Sequence, residues 1–194
     1  MSETKTFNCT KCGEKLVVDI DKLISAAEYA IDTKNYYKAE ELLLDAKMAN
    51  SDDYRIYYHR AKISLEFSDA EALFKMLEKL QLFEKEQKEN EVTEAINGLM
   101  KYKQAGNGAT ILHYATNQER FDMVMFCVEH GSDVNATYGD GKKFWSPISI
   151  MSTPVSRISA RADGVPYRTK SELEKFRKYL IEHGANDKKK FGFK

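Results

Sequence analysis

Proline and glycine are scarce in this chain, three and ten among 194 residues. Long loops draw on both, so the scarcity favours helix. No apolar run approaches the roughly 20 residues that a membrane-spanning helix needs. The opening residues MSETKTFNCT lack the apolar core of a secretory signal. Three cysteines, an odd number, do not make a disulfide framework. There is no excess of one charge, with 30 basic and 30 acidic residues. A dedicated nucleic-acid binder is normally net basic, so the balance argues against nucleic acid as partner. There is also no glycine-rich phosphate loop, nucleophile elbow, His-Glu-x-x-His or complete metal site. These absences point to a soluble cytoplasmic protein that is not an enzyme and does not enter membranes.

The charge is present but polarised. Asp19 to Asp53 holds nine acidic and four basic residues, and Lys142 to Lys194 holds thirteen basic and five acidic. Arg157, Arg161, Arg168 and Lys188-Lys189-Lys190 make an anionic ligand, nucleic acid included, the alternative partner for the C-terminal end.

The most informative stretch is Asn107–Ala136. Thr110 can cap a short helix beginning at Ile111-Leu112-His113-Tyr114-Ala115. A second helix is expected from Phe121 to His130, with Val124, Phe126, Cys127 and Val128 too broadly apolar for a thin stripe and suited to packing between neighbours. Gly131 would end it in a left-handed conformation.

These residues resemble an ankyrin repeat. Gly108-Ala109-Thr110-Ile111-Leu112-His113-Tyr114-Ala115 matches the family's opening, with Ile111 in the usual proline position, and Phe126 to Asn135 matches its close. A second copy opens at Trp145-Ser146-Pro147-Ile148-Ser149 and closes at Tyr179 to Asn186. Its Glu-His-Gly triplet lies 53 residues beyond the first, against a family period of about 33. The excess falls in a proline-containing inserted loop at about 152–170. Ser149 stands in place of the family's histidine, without the imidazole that reaches neighbouring repeats. The resemblance makes His113 a structural histidine and places His130 and His183 at the ends of outer helices.

From Asp19 to about Gln104 the chain reads as successive helices: to Ile31, Tyr37–Ala49, Tyr54–Phe67, Asp69–Glu86 and Asn90–Lys103. Leu23, Ala26, Ala27, Ala30, Ala39, Leu43 and Ala46, with the Asn-Tyr-Tyr-Lys-Ala corner, resemble a tetratricopeptide repeat of about 34 residues. A plain helical bundle is the alternative. Tyr57 and Ala61 begin a second copy with a turn near Phe67-Ser68-Asp69 that reads as shortened. The expected fold is an all-α helical-repeat solenoid, with tetratricopeptide-like hairpins (19–104) stacked on a short ankyrin array (105–194) and the Asn90–Lys103 helix capping the array.

The remaining segment, 1–18, contains Phe7-Asn8-Cys9-Thr10-Lys11-Cys12-Gly13. Cys9 and Cys12 resemble one knuckle of a zinc ribbon. Structural zinc takes four ligands, so the pair is half a site. Three readings stay open: the remnant of a ribbon, zinc shared between two chains in a homodimer, or a redox pair.

The resemblance to helical repeats implies a non-catalytic scaffold or adaptor that binds a protein or peptide on its concave surface and projecting turns. On this chain that points to Tyr138, Lys142, Lys143, Phe144 and Trp145 in the turn before the second repeat, and to Arg55, Tyr58 and Lys62 on one helix face. Tyrosine and tryptophan give large contact area for little lost freedom. A staple against the following helix is the alternative for Trp145, and helix packing the alternative for the Arg55 group.

Overall fold

The computed structural model describes residues 4–8, 15–87, 90–139, 143–151, 170–186 and 192–193. Cys9, Cys12, Lys142, the inserted loop at 152–169 and Lys188–Lys190 lie outside them. Among the described residues there are nine helices and five short strands. The architecture is that of an all-α helical-repeat protein. The chain divides into two compact units, Met1–Val92 and Thr93–Lys194.

The first unit opens with an antiparallel ribbon, β1 (Thr4–Asn8) against β2 (Lys15–Asp19), in register Thr4↔Asp19 to Asn8↔Lys15. The sequence does not announce this ribbon, since neither TKTFN nor KLVVD alternates apolar and polar residues. The Cys-x-x-Cys segment is therefore preceded by a strand and followed by one. Asp19 ends β2 and caps α1 (Ile20–Asp32), accepting from the Lys22 N–H at 3.2 Å. Then come α2 (Tyr36–Ala49), α3 (Tyr54–Glu66) and α4 (Ala70–Gln87). α1 pairs with α2 and α3 with α4, and α3 also packs on both α1 and α2.

The two hairpins are copies 34 residues apart, and their turns are the clearest sign of it. Lys34 and Ser68 hold φ of 60° and 59°. Asn35 N–H donates to Ala30 O at 2.7 Å, and Asp69 N–H to Ser64 O at 2.9 Å. The second bond pair matches equally, Lys34 to Ile31 at 2.9 Å and Ser68 to Leu65 at 3.1 Å. Asn35 and Asp69 then cap the following helices through the N–H groups of Lys38 and Ala72. The turn at Phe67-Ser68-Asp69 is thus the same length as the first and not shortened. Both use a left-handed residue after the helix, a geometry a non-glycine side chain conceals in sequence.

Small residues set the close approach of α1 and α2. Ala27, Ala30, Ala39, Leu43 and Ala46 are buried, while Ala26 is exposed and Leu23 and Leu42 are half-buried. At 100° per residue Ala26 lies about 40° from Ala30 and about 140° from Ile31, just beyond the edge of the buried face. In the second copy Ala61, Leu73, Leu77 and Leu80 fill the corresponding core.

The second unit begins within α5 (Asn90–Lys101), whose Ile96, Leu99 and Met100 are buried. α6 (Ile111–Asn117) packs on α7 (Phe121–Glu129) and on α8 (Pro147–Met151), which packs on α9 (Lys170–Glu182). Pro147 starts α8, where its missing N–H has no bond to lose. A three-stranded sheet of order β3 (Tyr138–Gly139), β4 (Lys143–Trp145) and β5 (Gly192–Phe193) accompanies them, antiparallel throughout.

Candidate functional site

His113 organises the first pair of the second unit. Its Nδ1 accepts from the Thr110 N–H at 3.1 Å and lies 2.8 Å from Thr110 Oγ1. Its Nε2 lies 3.0 Å from Ala136 O, and a backbone N–H at Nδ1 leaves Nε2 as the protonated nitrogen, donating to that carbonyl. Burial pushes its pKa down to about 4, against the opposing pull of the Ala136 and Trp145 backbone groups. A neutral, buried imidazole with both nitrogens bonded is a tie between loop and helix.

The close of the first pair returns at the close of the second. His130 Nδ1–H donates to Phe126 O at 2.9 Å, and His183 Nδ1–H donates to Tyr179 O at 2.8 Å. Gly131 and Gly184 take φ of 82° and 93°. Ser132 and Ala185 donate back to Cys127 O and Leu180 O, each at 2.9 Å. Phe121 meets Phe176 and Tyr179 edge-to-face, at 4.3 and 5.5 Å between ring centroids, joining the two outer helices. Where His113 stands in the first copy, Ser149 stands in the second. Its hydroxyl accepts from the Ser146 N–H at 2.8 Å and donates to Ser146 O at 2.9 Å, closing the cap with a shorter side chain.

Of the turn residues singled out for binding, Tyr138, Phe144 and Trp145 are half-buried. β3 and β4 pair Tyr138 with Trp145, rings 5.5 Å apart, and Tyr138 meets the His113 ring edge-on at 4.7 Å. Trp145 therefore has a structural neighbour as well as an exposed surface. Phe144 pairs across to Gly192 in β5. The side chain of Lys143 lies outside the described residues, as Lys142 does entirely.

On α3, Arg55 is held. It binds Asp53 through Nε at 3.0 Å and through a terminal nitrogen at 2.6 Å, and reaches Asp21 on α1 at 2.9 Å. The hydrogen bonds that it donates to Asp53 raise its already high pKa, against the opposing effect of burial. Lys62 lies over the Tyr58 ring at 4.5 Å. The three residues share a face, and Arg55 there ties α3 to α1. His59 beside them is buried with no hydrogen-bond partner at Nδ1, and burial, then Lys62 and Arg55, bring its pKa to about 4.

Cys127 is fully buried, and burial pushes its thiol up to about 12. Among the described residues no group of three or more His, Cys, Asp or Glu is placed to hold a metal ion. Among them, too, no helix is long and apolar enough to cross a membrane.

One group of exposed apolar side chains is not evident from the sequence alone. Tyr37, Leu44 and Met48 on α2 are 84%, 43% and 82% exposed. Their signal was the spacing i, i+7, i+11, which stays hidden until Ala39, Leu43 and Ala46 are assigned to the opposite face.

Residues 107–138 match the ankyrin repeat family. Neither curated proteins nor solved structures give a match to the chain. Ankyrin repeats generally serve as protein–protein interaction modules. The region Asn107–Tyr138 is thus similar to an ankyrin repeat, and the fold that carries it is that of an all-α helical-repeat protein.

Proposed function

We propose that this protein is a non-catalytic interaction module that takes a protein or peptide partner on its repeat surfaces, with the Tyr138–Trp145 turn of the second unit as the principal contact. One observation carries the reading: an ankyrin repeat whose polar groups are consumed in holding the repeat together, beside a turn that leaves three aromatic rings half-exposed. The hairpins of the first unit are tetratricopeptide-like, supported by the 34-residue spacing of their turns and caps. Arg55, engaged at Asp53 and Asp21, would have to exchange those pairs for a ligand's.

The test replaces Phe144 and Trp145 together by alanine. Capture of the native partner should be lost, with a stability cost of about 1 kcal/mol from the broken Tyr138–Trp145 contact. A cost above about 3 kcal/mol would place both rings in the core instead.

A zinc ion shared by Cys9 and Cys12 of two chains is the second reading. The register Asn8↔Lys15 brings the ends of their segment together, and a lone two-stranded ribbon is marginal in water without a staple. Two thiolates per chain supply half of a four-ligand site. Half an equivalent of zinc per chain, with a dimer that dissociates on chelation, is the required result. Metal-free protein under reducing conditions excludes it.

A further inference from the structure

Tyr37, Leu44 and Met48 recur at i, i+7 and i+11 and lie within a narrow sector of α2, opposite buried Ala39, Leu43 and Ala46. Phe67, 51% exposed, extends the strip at its start, its ring 5.7 Å from that of Tyr37. The strip is about 16 Å long at 1.5 Å per residue.

The hairpin fold does not demand apolar residues there. The second copy supplies the control. Thirty-four residues on, α4 repeats the burial pattern of α2 almost position for position. Yet Glu71 stands for Tyr37 and Glu78 for Leu44, with Leu82 for Met48. The acids Glu41 and Asp45 on the α2 face become Lys75 and Lys79, and Lys75 pairs with Glu71 at 2.7 Å. The same surface is thus charged in one copy and apolar in the other, flanked there by Asp45 and by Glu41, which pairs with Lys38 at 2.9 Å.

What covers it follows from the charge. Two copies joined α2 to α2 through a two-fold axis would set Glu41 and Asp45 against each other or against themselves. An anionic lipid surface would meet the same two carboxylates, on a segment from Asp19 to Asp53 with nine acidic and four basic residues. A helix with an apolar stripe and lysines or arginines beside it meets neither penalty: its cations oppose Asp45 and can take the place of Lys38 at Glu41. We propose that the outer face of α2, with Phe67, docks a basic amphipathic helix of another protein. The inference shares with the proposed function only the reading as an interaction module, and its residues lie in the other unit from Phe144 and Trp145.

The probe is a fluorescent lysine–leucine amphipathic helical peptide of about five turns, titrated into the full chain and compared with its glutamate–leucine counterpart. Y37E/L44E installs what α4 already carries and should weaken binding about tenfold or more. E41K/D45K, also the α4 residues, should weaken it several-fold and flatten its salt dependence. F144A/W145A should leave it unchanged, so loss of the turn site and loss of this site are told apart. Circular dichroism monitors folding, and M48K serves in place of Y37E/L44E if that variant unfolds. Equal binding by all variants, or by the glutamate peptide, overturns the proposal. So does a wild-type dimer that Y37E/L44E dissociates, which would make a second copy the occupant. Tyr37-dependent co-sedimentation with anionic vesicles would overturn it in favour of a membrane.

Discussion

The side-chain amide of Asn135 is bonded at both ends to the turn that holds Asn186: its nitrogen donates to Gly184 O at 2.9 Å and its oxygen accepts from the Asn186 N–H at 2.8 Å. Two repeat closes separated by 51 residues, with a long insertion between, are thereby set side by side. The amide needs both its donor and its acceptor, which leucine or aspartate cannot offer in the same shape.

Asn135→Ala should therefore loosen the second repeat more than the first. The two bonds are solvent-accessible, so the expected cost is about 1 kcal/mol. Hydrogen exchange should quicken at Asn186 and along α9 while α6 keeps its protection. Uniform acceleration across the second unit would contradict a local tie.

Left-handed positions separate by residue type. Gly184 holds φ of 93° and Gly131 82°, with open space where a Cβ would go. Alanine at either should cost about 1 to 2 kcal/mol from backbone conformation alone. Lys34 and Ser68 occupy the same conformation at the equivalent place in the two hairpins. Lys34→Gly and Ser68→Gly should each stabilise by about 0.5 to 1 kcal/mol. Thermal melts would show the opposite signs, and unequal effects at Lys34 and Ser68 would break the equivalence of the two turns.

Acid should weaken the fold through its buried histidines. Burial lowers His113 and His59 to about 4 from 6.5. Between those values the unfolded chain binds more protons than the folded one, so stability falls as pH drops from 6.5 to 4. The loss from each histidine is at most about 1.4 kcal/mol per pH unit, and it levels off below 4 where both states are protonated. His113→Gln should lower stability at pH 7 and flatten this slope in urea titrations. An unchanged slope would mean that His113 is not the titrating group.

Cys127 should be inert in the native protein. Its thiol is buried and pushed up to about 12, and the thiolate is the reactive form. In a chain with Cys9→Ser and Cys12→Ser, a thiol reagent should label Cys127 only at the rate of unfolding. Prompt labelling at pH 8 would contradict its burial.

Much of the fold was legible because helix boundaries are local. Asp19, Asn35, Asp53, Asp69 and Thr110 are capping residue types next to apolar periodicity, and all five begin helices. Gly131 and Gly184 announce their own turns. Lys34 and Ser68 do the same work without the residue that signals it, which is why the second hairpin turn reads as shortened. The β1–β2 ribbon is hidden in the sequence because neither strand alternates: β1 has a single apolar residue, Phe7, and β2 has three in a row, Leu16-Val17-Val18. The site was less legible. Tyr138, Phe144 and Trp145 stand out by type, yet the neighbours that hold Tyr138 and Trp145 come from elsewhere in the chain.

The sequence by itself determined the helices, their caps and the ankyrin repeat, since each depends on residues within a few turns of one another. Only the tertiary structure decided which apolar residues remain in water. Leu43 and Leu44 are adjacent and chemically identical, yet one is fully buried and the other 43% exposed. A helix turns 100° per residue, and which sector faces a neighbour is set by where α1 and α3 pack. The same packing sets Arg55 between Asp53 and Asp21, two carboxylates 32 residues apart in the sequence.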